Sequence, residues 1–154
     1  KADELFTIYH ERVPFVKSLM NSVSNRAQQR GQIRTLLGRL CRFHLWEPNQ
    51  FGIHKALPFD QARQEYGAGI KRAYTYKALN KLIQGSAADM TKKSMLELYK
   101  EGIVAHIQVH DELDISVEDD IKAKRIKEIM ESAVELEIPN KVDYEKGSNW
   151  GEIK

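Results

Sequence analysis

Residues 103–117, IVAHIQVHDELDISV, constrain the fold more than any other stretch of this 154-residue chain. Apolar side chains occupy Ile103, Ala105, Ile107 and Val109, then Leu113, Ile115 and Val117, on either side of His110-Asp111-Glu112. A period of two marks strands with one buried face, so the stretch reads as a β-hairpin with a carboxylate pair at its tip. Both apolar sets fall on odd numbers. Facing residues of an antiparallel pair point the same way, so burying both sets on one face requires an odd loop or a bulge. No Asn-Gly or Asp-Gly pair sets the turn.

Adjacent carboxylates repel. A chain that fixes them at a rigid turn commonly has a cation to hold there, such as Mg²⁺ with phosphate as co-ligand. The plainer reading is a solvated turn, where Asp is common. His106 and His110 stand roughly 13 Å apart along a strand, too far to share one zinc ion.

The rest of the chain supplies helices and a second hairpin. Leu5, Ile8, Tyr9, Val16, Leu19, Met20 and Val23 recur at helical spacing. Pro14 splits them into a helix ending near Arg12 and a second from Pro14 to Arg30, closed by Gly31; these apolar positions are expected in the core. Residues 32–45 read as a strand, a turn at Leu37-Gly38 and a return strand. Their arginines, Arg34, Arg39 and Arg42, suit phosphate contact or, equally, the protection of an exposed edge. Residues 46–69 are broken by Pro and Gly and read as irregular, with Asp60 able to cap a short helix to Tyr66. Residues 70–100 have helical composition. Tyr76, Asn80 and Gln84 lie at i, i+4 and i+8 on one face, followed by the small residues Gly85-Ser86-Ala87-Ala88, where a backbone or a nucleic acid can come close. Residues 119–136 form an amphipathic helix started by Asp119 and Asp120. Val142–Glu145 reads as a last strand, and Trp150 as a terminal core anchor.

Apolar residues make up 42% of the chain, enough at this length for one domain with its own core. The single cysteine, Cys41, excludes an internal disulfide and suits a reducing compartment. No apolar run approaches a membrane span and no signal peptide opens the chain, so no membrane partner is expected. The chain begins at Lys1 inside an amphipathic pattern, as a piece of a longer or split protein would. Residues 1–100 hold 17 Lys+Arg against 8 Asp+Glu, and residues 101–154 hold 7 against 14. A basic part before an acidic part suits a protein that holds a polyanion on one surface and metal on another; a solvated acidic helix face accounts for much of the same asymmetry.

Gln108-Val109-His110-Asp111-Glu112-Leu113 resembles the C-terminal catalytic motif of family A DNA polymerases, the DNA polymerase I group and its phage relatives. Asn80-x-x-x-Gln84-Gly85-Ser86-Ala87-Ala88-Asp89 resembles that family's R-x-x-x-N-x-x-x-Q-G-T-A-A-D. Tyr9, Arg12 and Pro14 match a Y-x-x-R-x-P stretch, residues 35–39 a T-L-x-G-R hairpin, and residues 147–150 a closing G-x-N-W. The resemblance covers nearly all of this chain, but only the last portion of a polymerase. It implies an α+β fold: an antiparallel palm sheet with a catalytic β-hairpin packed against long amphipathic helices. It also implies a bacterial or phage-infected host cytoplasm.

For function, the resemblance implies a DNA-directed DNA polymerase that extends a primer 3′ end by a two-metal mechanism. Asp111 corresponds to one of two catalytic aspartates, Glu112 to the acid beside it, and His110 to a histidine near the primer-terminal phosphate. Asp111 and Glu112 would share in holding two Mg²⁺ ions. Asn80 and Gln84 would reach the minor groove, whose acceptors lie in similar places in all base pairs; Gln108, His110, Arg34 and Arg39 are further candidates for DNA contact. The family's arginine falls on Tyr76, with Lys77 beside it, and both are candidates for that contact. The partners implied are primer–template DNA, deoxynucleoside triphosphates and an upstream polymerase segment.

Two family patterns are absent from these residues: a D-x-S-Q-x-E-like strand with the first aspartate, and an R-x-x-x-K-x-x-x-F/Y helix that holds the triphosphate. The expectation is a palm-side C-terminal segment, inactive by itself, with the apolar faces of its first two helices partly uncovered. Other readings are a non-catalytic DNA-binding accessory fragment and the palm of a single-subunit RNA polymerase. A metal-dependent nuclease would need a further carboxylate cluster.

Overall fold

The computed structural model describes residues 2–153. Helix α1 spans Ala2–Arg12 and α2 spans Pro14–Arg30. Proline at the first helical position costs no hydrogen bond and presets the backbone. Gly31 ends α2 at φ 68°, where its N–H donates to Ala27 O at 2.9 Å. The core expected along these helices is much smaller than the apolar pattern suggests. Val23 and Ala27 of α2 are buried, whereas Leu5, Ile8, Tyr9, Leu19 and Met20 are exposed. Apolar side chains are buried only where another surface meets them, and Ile33 and Phe43 meet only the last turns of α2.

Strands β1 (Gln32–Arg34) and β2 (Leu40–Arg42) pair antiparallel with Ile33 opposite Cys41. Their turn closes by Gly38 N–H donating to Thr35 O and Thr35 N–H donating to Arg39 O, both at 2.9 Å. Residues 46–69 are more ordered than their composition implies. Strands β3 (Leu45–Pro48), β4 (Leu57–Pro58) and β5 (Ile70–Arg72) form an antiparallel sheet in the order β4-β3-β5, with helix α3 (Phe59–Tyr66) inside the connection. Trp46 pins it: Phe59 meets the indole edge-on at 5.0 Å, and the Arg72 guanidinium lies 4.6 Å from the ring centre. These partners are distant in sequence, so no local period announces them. Pro58 precedes α3, and Asp60 sits within its first turn rather than capping it.

Helix does not run from Ile70 to Lys100 either. Pairing with β3 holds Ile70–Arg72 extended, and Tyr74 adopts φ 61°. A 3₁₀ turn at Thr75–Lys77 then leads into α4, Ala78–Lys100. Tyr76 therefore precedes α4 rather than belonging to it.

The small residues of α4 are where the β1–β2 turn comes in. Leu36 N–H donates to Ser86 Oγ at 3.0 Å, and Arg39 Nη2 donates to Gly85 O at 2.8 Å. A Cβ on Gly85 would stand 2.9 Å from Thr35 Cγ2 and 3.3 Å from Arg39 Nη2. Thr35 is buried and β-branched, with little freedom to give way. Gly85→Val is accordingly expected to destabilise the chain by about 2 kcal/mol, overpacking outweighing the gain in helix propensity. The shift in urea midpoint at unchanged slope measures this.

The strands β6 (Ile107–Val109) and β7 (Glu112–Asp114) pair antiparallel. Helix α5, Asp120–Ser132, follows; the Asp119 carboxylate accepts from Lys122 N–H at 2.7 Å, an N-cap contributing about 1 kcal/mol. Leu98, Ile103, Ile126 and Ile129 form a buried cluster against which Leu113, Ile115 and Met130 pack. The helix expected to 136 stops at Ser132. The segment Val142–Glu145 is not a strand: Val142 N–H donates to the Glu131 carboxylate at 3.0 Å instead of to a neighbouring strand. Trp150 lies in a 3₁₀ turn, Trp150–Glu152, and is 57% exposed, so it is not a core anchor. At the head of α5, Lys146 donates to Asp120 at 2.7 Å, and this bond holds the Asp120 carboxyl below the usual carboxylate value.

The fold is α+β; among the described residues the antiparallel strands form three separate small sheets beside longer helices. The chain divides into two compact units, Lys1–Ser86 and Ala87–Lys154, with the boundary inside α4. The first unit carries 14 Lys+Arg against 6 Asp+Glu, the second 10 against 16. No helix among the described residues is long and apolar enough to cross a membrane.

Candidate catalytic hairpin and nucleic-acid face

In the second unit, β6 and β7 are joined by only two residues, His110 and Asp111. The register is Ile107 with Asp114, Gln108 with Leu113 and Val109 with Glu112. This even loop, without a bulge, overturns the single buried face expected from the odd-numbered pattern. Leu113 and Ile115 turn to the buried cluster, while Ile107 and Val109 lie on the opposite face and are about two-fifths exposed. The alternation was real, but the loop put its two halves on different faces.

His110 adopts φ 51°, whereas Asp111 is not at positive φ, the sign pattern of a type II′ turn. Glycine normally fills that first position. A histidine there stores roughly 1–3 kcal/mol of backbone strain. Gln108 steadies the tip by donating from Nε2 to His110 O at 2.5 Å. His106 Nε2 lies 3.0 Å from Ser116 Oγ across the base of the hairpin. The strained turn presents His110, Asp111 and Glu112 side by side, all exposed. The hairpin borders a cleft of about 460 Å³, lined also by Asp114, Asp120 and Tyr144.

The donor set suits a hard cation in part. Mg²⁺ is held by one or two carboxylates, with water and substrate phosphate completing its shell, and Asp111 and Glu112 offer oxygen donors of that kind. Among the described residues no three His, Cys, Asp or Glu side chains converge on one metal position.

In the first unit, Asn80 and Gln84 lie one turn apart on an exposed face of α4, with Tyr76 and Lys77 exposed just before it. Arg34 and Arg39 are drawn into the β1–β2 turn. Arg34 Nη1 donates to Gly38 O at 2.8 Å, and Arg39 binds Gly85 O. The structure thus gathers Tyr76, Lys77, Asn80 and Gln84 in one unit, and Gln108, His110, Asp111 and Glu112 in the other. Just before Lys77 lies Tyr74, whose ring centre is 5.2 Å from Lys77 Nζ. A lone tyrosine before a helix carries no motif signal; its backbone conformation does.

The chain is 37% identical over 96% of its length to a DNA-directed DNA polymerase of Pseudomonas phage M6. It is 34% identical over its whole length to DNA polymerase I of Bacillus caldotenax. It spans 19% and 17% of those relatives. A solved structure, the POL domain of Pol1 from M. smegmatis in complex with DNA primer-template and dNTP, matches 90% of the chain with a TM-score of 0.64 at 27% identity, the chain covering 23% of it. The family model for DNA polymerase family A matches residues 1–152, and this chain belongs to that family.

Proposed function

We propose that this chain is the C-terminal palm segment of a DNA-directed DNA polymerase and contributes half of its nucleotidyl-transfer site. The observation that carries the reading is the strained two-residue turn presenting His110, Asp111 and Glu112 together, inside a family A match over residues 1–152. Asp111 is the metal-holding carboxylate, and Glu112 its neighbour, steadying the local field. Bound there, Mg²⁺ supplies charge stabilisation for a developing alkoxide and for phosphate oxygens. His110 faces the primer-terminal phosphate. Asn80 and Gln84 approach the minor groove of primer–template DNA through acceptors common to all base pairs, so their contact does not depend on sequence. Deoxynucleoside triphosphates are the co-substrates. The first aspartate and the triphosphate-binding lysine come from an upstream segment, because residues 1–154 contain neither motif.

The test is primer extension by the purified 154-residue chain with Mg²⁺, alone and with the upstream polymerase segment supplied separately or fused. Extension is expected only when both are present. Robust metal-dependent extension by this chain alone overturns the half-site reading, and no extension in any combination overturns the polymerase reading.

A further inference from the structure

Three observations converge at the head of α4. Tyr74 holds φ 61° and ψ 16°, a left-handed conformation unusual for a bulky residue. The Lys77 ammonium lies 5.2 Å from the centre of the Tyr74 ring and 5.6 Å from that of Tyr76. No carboxylate among the described residues forms an ion pair with Lys77. A cation beside two aromatic faces is attracted by both ring quadrupoles, which narrows the positions it samples without neutralising its charge.

Its direction follows from helix geometry. Lys77 ends the 3₁₀ turn and Ala78 already has helical angles, φ −63° and ψ −42°. At about 100° per residue, Lys77 projects roughly 20° from Gln84 and 60° from Asn80, whereas Tyr76, one 3₁₀ step of about 120° earlier, projects roughly 100° from Gln84 and 60° from Asn80. Lys77 therefore lies closer than Tyr76 to the middle of the Asn80–Gln84 stripe. Spacing of three and seven residues puts Lys77 on that face. The surrounding unit is basic, with 14 Lys+Arg against 6 Asp+Glu.

We propose that Lys77, held between Tyr74 and Tyr76, is a phosphate-binding cation that continues the Asn80–Gln84 face onto the backbone of bound DNA. This rests on the reading of that face as DNA-contacting. Amides on the base edges are sequence-blind but weak. A cation fixed one turn away adds affinity through counterion release, equally for every sequence. The two tyrosines are positioning residues, their rings 5.2 and 5.6 Å from the lysine ammonium.

The experiment measures primer–template affinity over a salt series in the polymerase containing this segment, for Lys77→Ala, Lys77→Arg, a Tyr74→Leu/Tyr76→Leu double variant, and Asn80→Ala and Gln84→Ala. Lys77→Ala is expected to weaken binding about tenfold at low salt and to lower the slope of log K against log salt by about one. Lys77→Arg retains the slope. The tyrosine double variant keeps the slope and loses about threefold in affinity. The amide variants lose affinity with no change of slope. Unchanged affinity and slope in Lys77→Ala, while Asn80→Ala and Gln84→Ala weaken binding, overturns the role of Lys77 and leaves the DNA reading standing. If none of the variants alters affinity, the DNA-contacting reading of this face falls as well. Circular dichroism that matches the parent protein identifies the variants that can be scored.

Discussion

Replacing Asp111 with alanine is expected to lower primer extension by roughly a thousandfold or more in the complete polymerase, a loss of about 4 kcal/mol at the barrier. Primer–template affinity stays within a few-fold of the parent, because the Asn80–Gln84 face belongs to the other unit and is untouched. Stability hardly changes. Asp111 is exposed at the second loop position and repels Glu112 when metal is absent. Glu112→Gln is milder, since Asp111 remains to hold the ion. Rapid-quench extension alongside thermal unfolding separates the alternatives. Near-parental extension in Asp111→Ala would sink the metal-holding role. A large fall in unfolding temperature would mean that the turn itself, strained at His110, depends on this side chain.

Leu98→Ala is expected to have the largest effect on stability, about 3 kcal/mol. Leu98 is 1% exposed, near the end of α4, where it shares a cluster with Ile103, Ile126 and Ile129. That cluster is small, so few neighbours can collapse into the space left behind. Leu113 and Ile115 pack on the same cluster, which couples the cavity to the strand carrying Glu112. Extension should therefore fall together with stability, and excess Mg²⁺ should not restore it. Leu98→Met, nearly equal in volume, should cost less than about 1.5 kcal/mol and leave extension intact. A urea midpoint barely altered in Leu98→Ala would show that the cluster does not support the hairpin.

What the sequence determined by itself is local. Pro14 and Gly31 punctuate α1 and α2 because proline presets the first helical turn and glycine accepts the left-handed cap. The alternation around His110-Asp111-Glu112 announces a hairpin and its acidic tip, since a period of two needs no distant partner. The family, too, was legible from the six residues Gln108–Leu113 and the Asn80–Asp89 run. What only the tertiary structure decided depends on partners far along the chain. The two-residue loop at His110-Asp111 set a register that sends Ile107 and Val109 away from Leu113 and Ile115. No count of apolar positions reveals the loop length. The sheet of β3, β4 and β5 exists because Trp46 finds Phe59 and Arg72 across 13 and 26 residues. Gly85 is small because Thr35 lies against it. In each case the physical reason is the same: burial and backbone strain are set by what the rest of the fold places opposite a residue, and a sequence read in order lists neighbours along the chain, not across it.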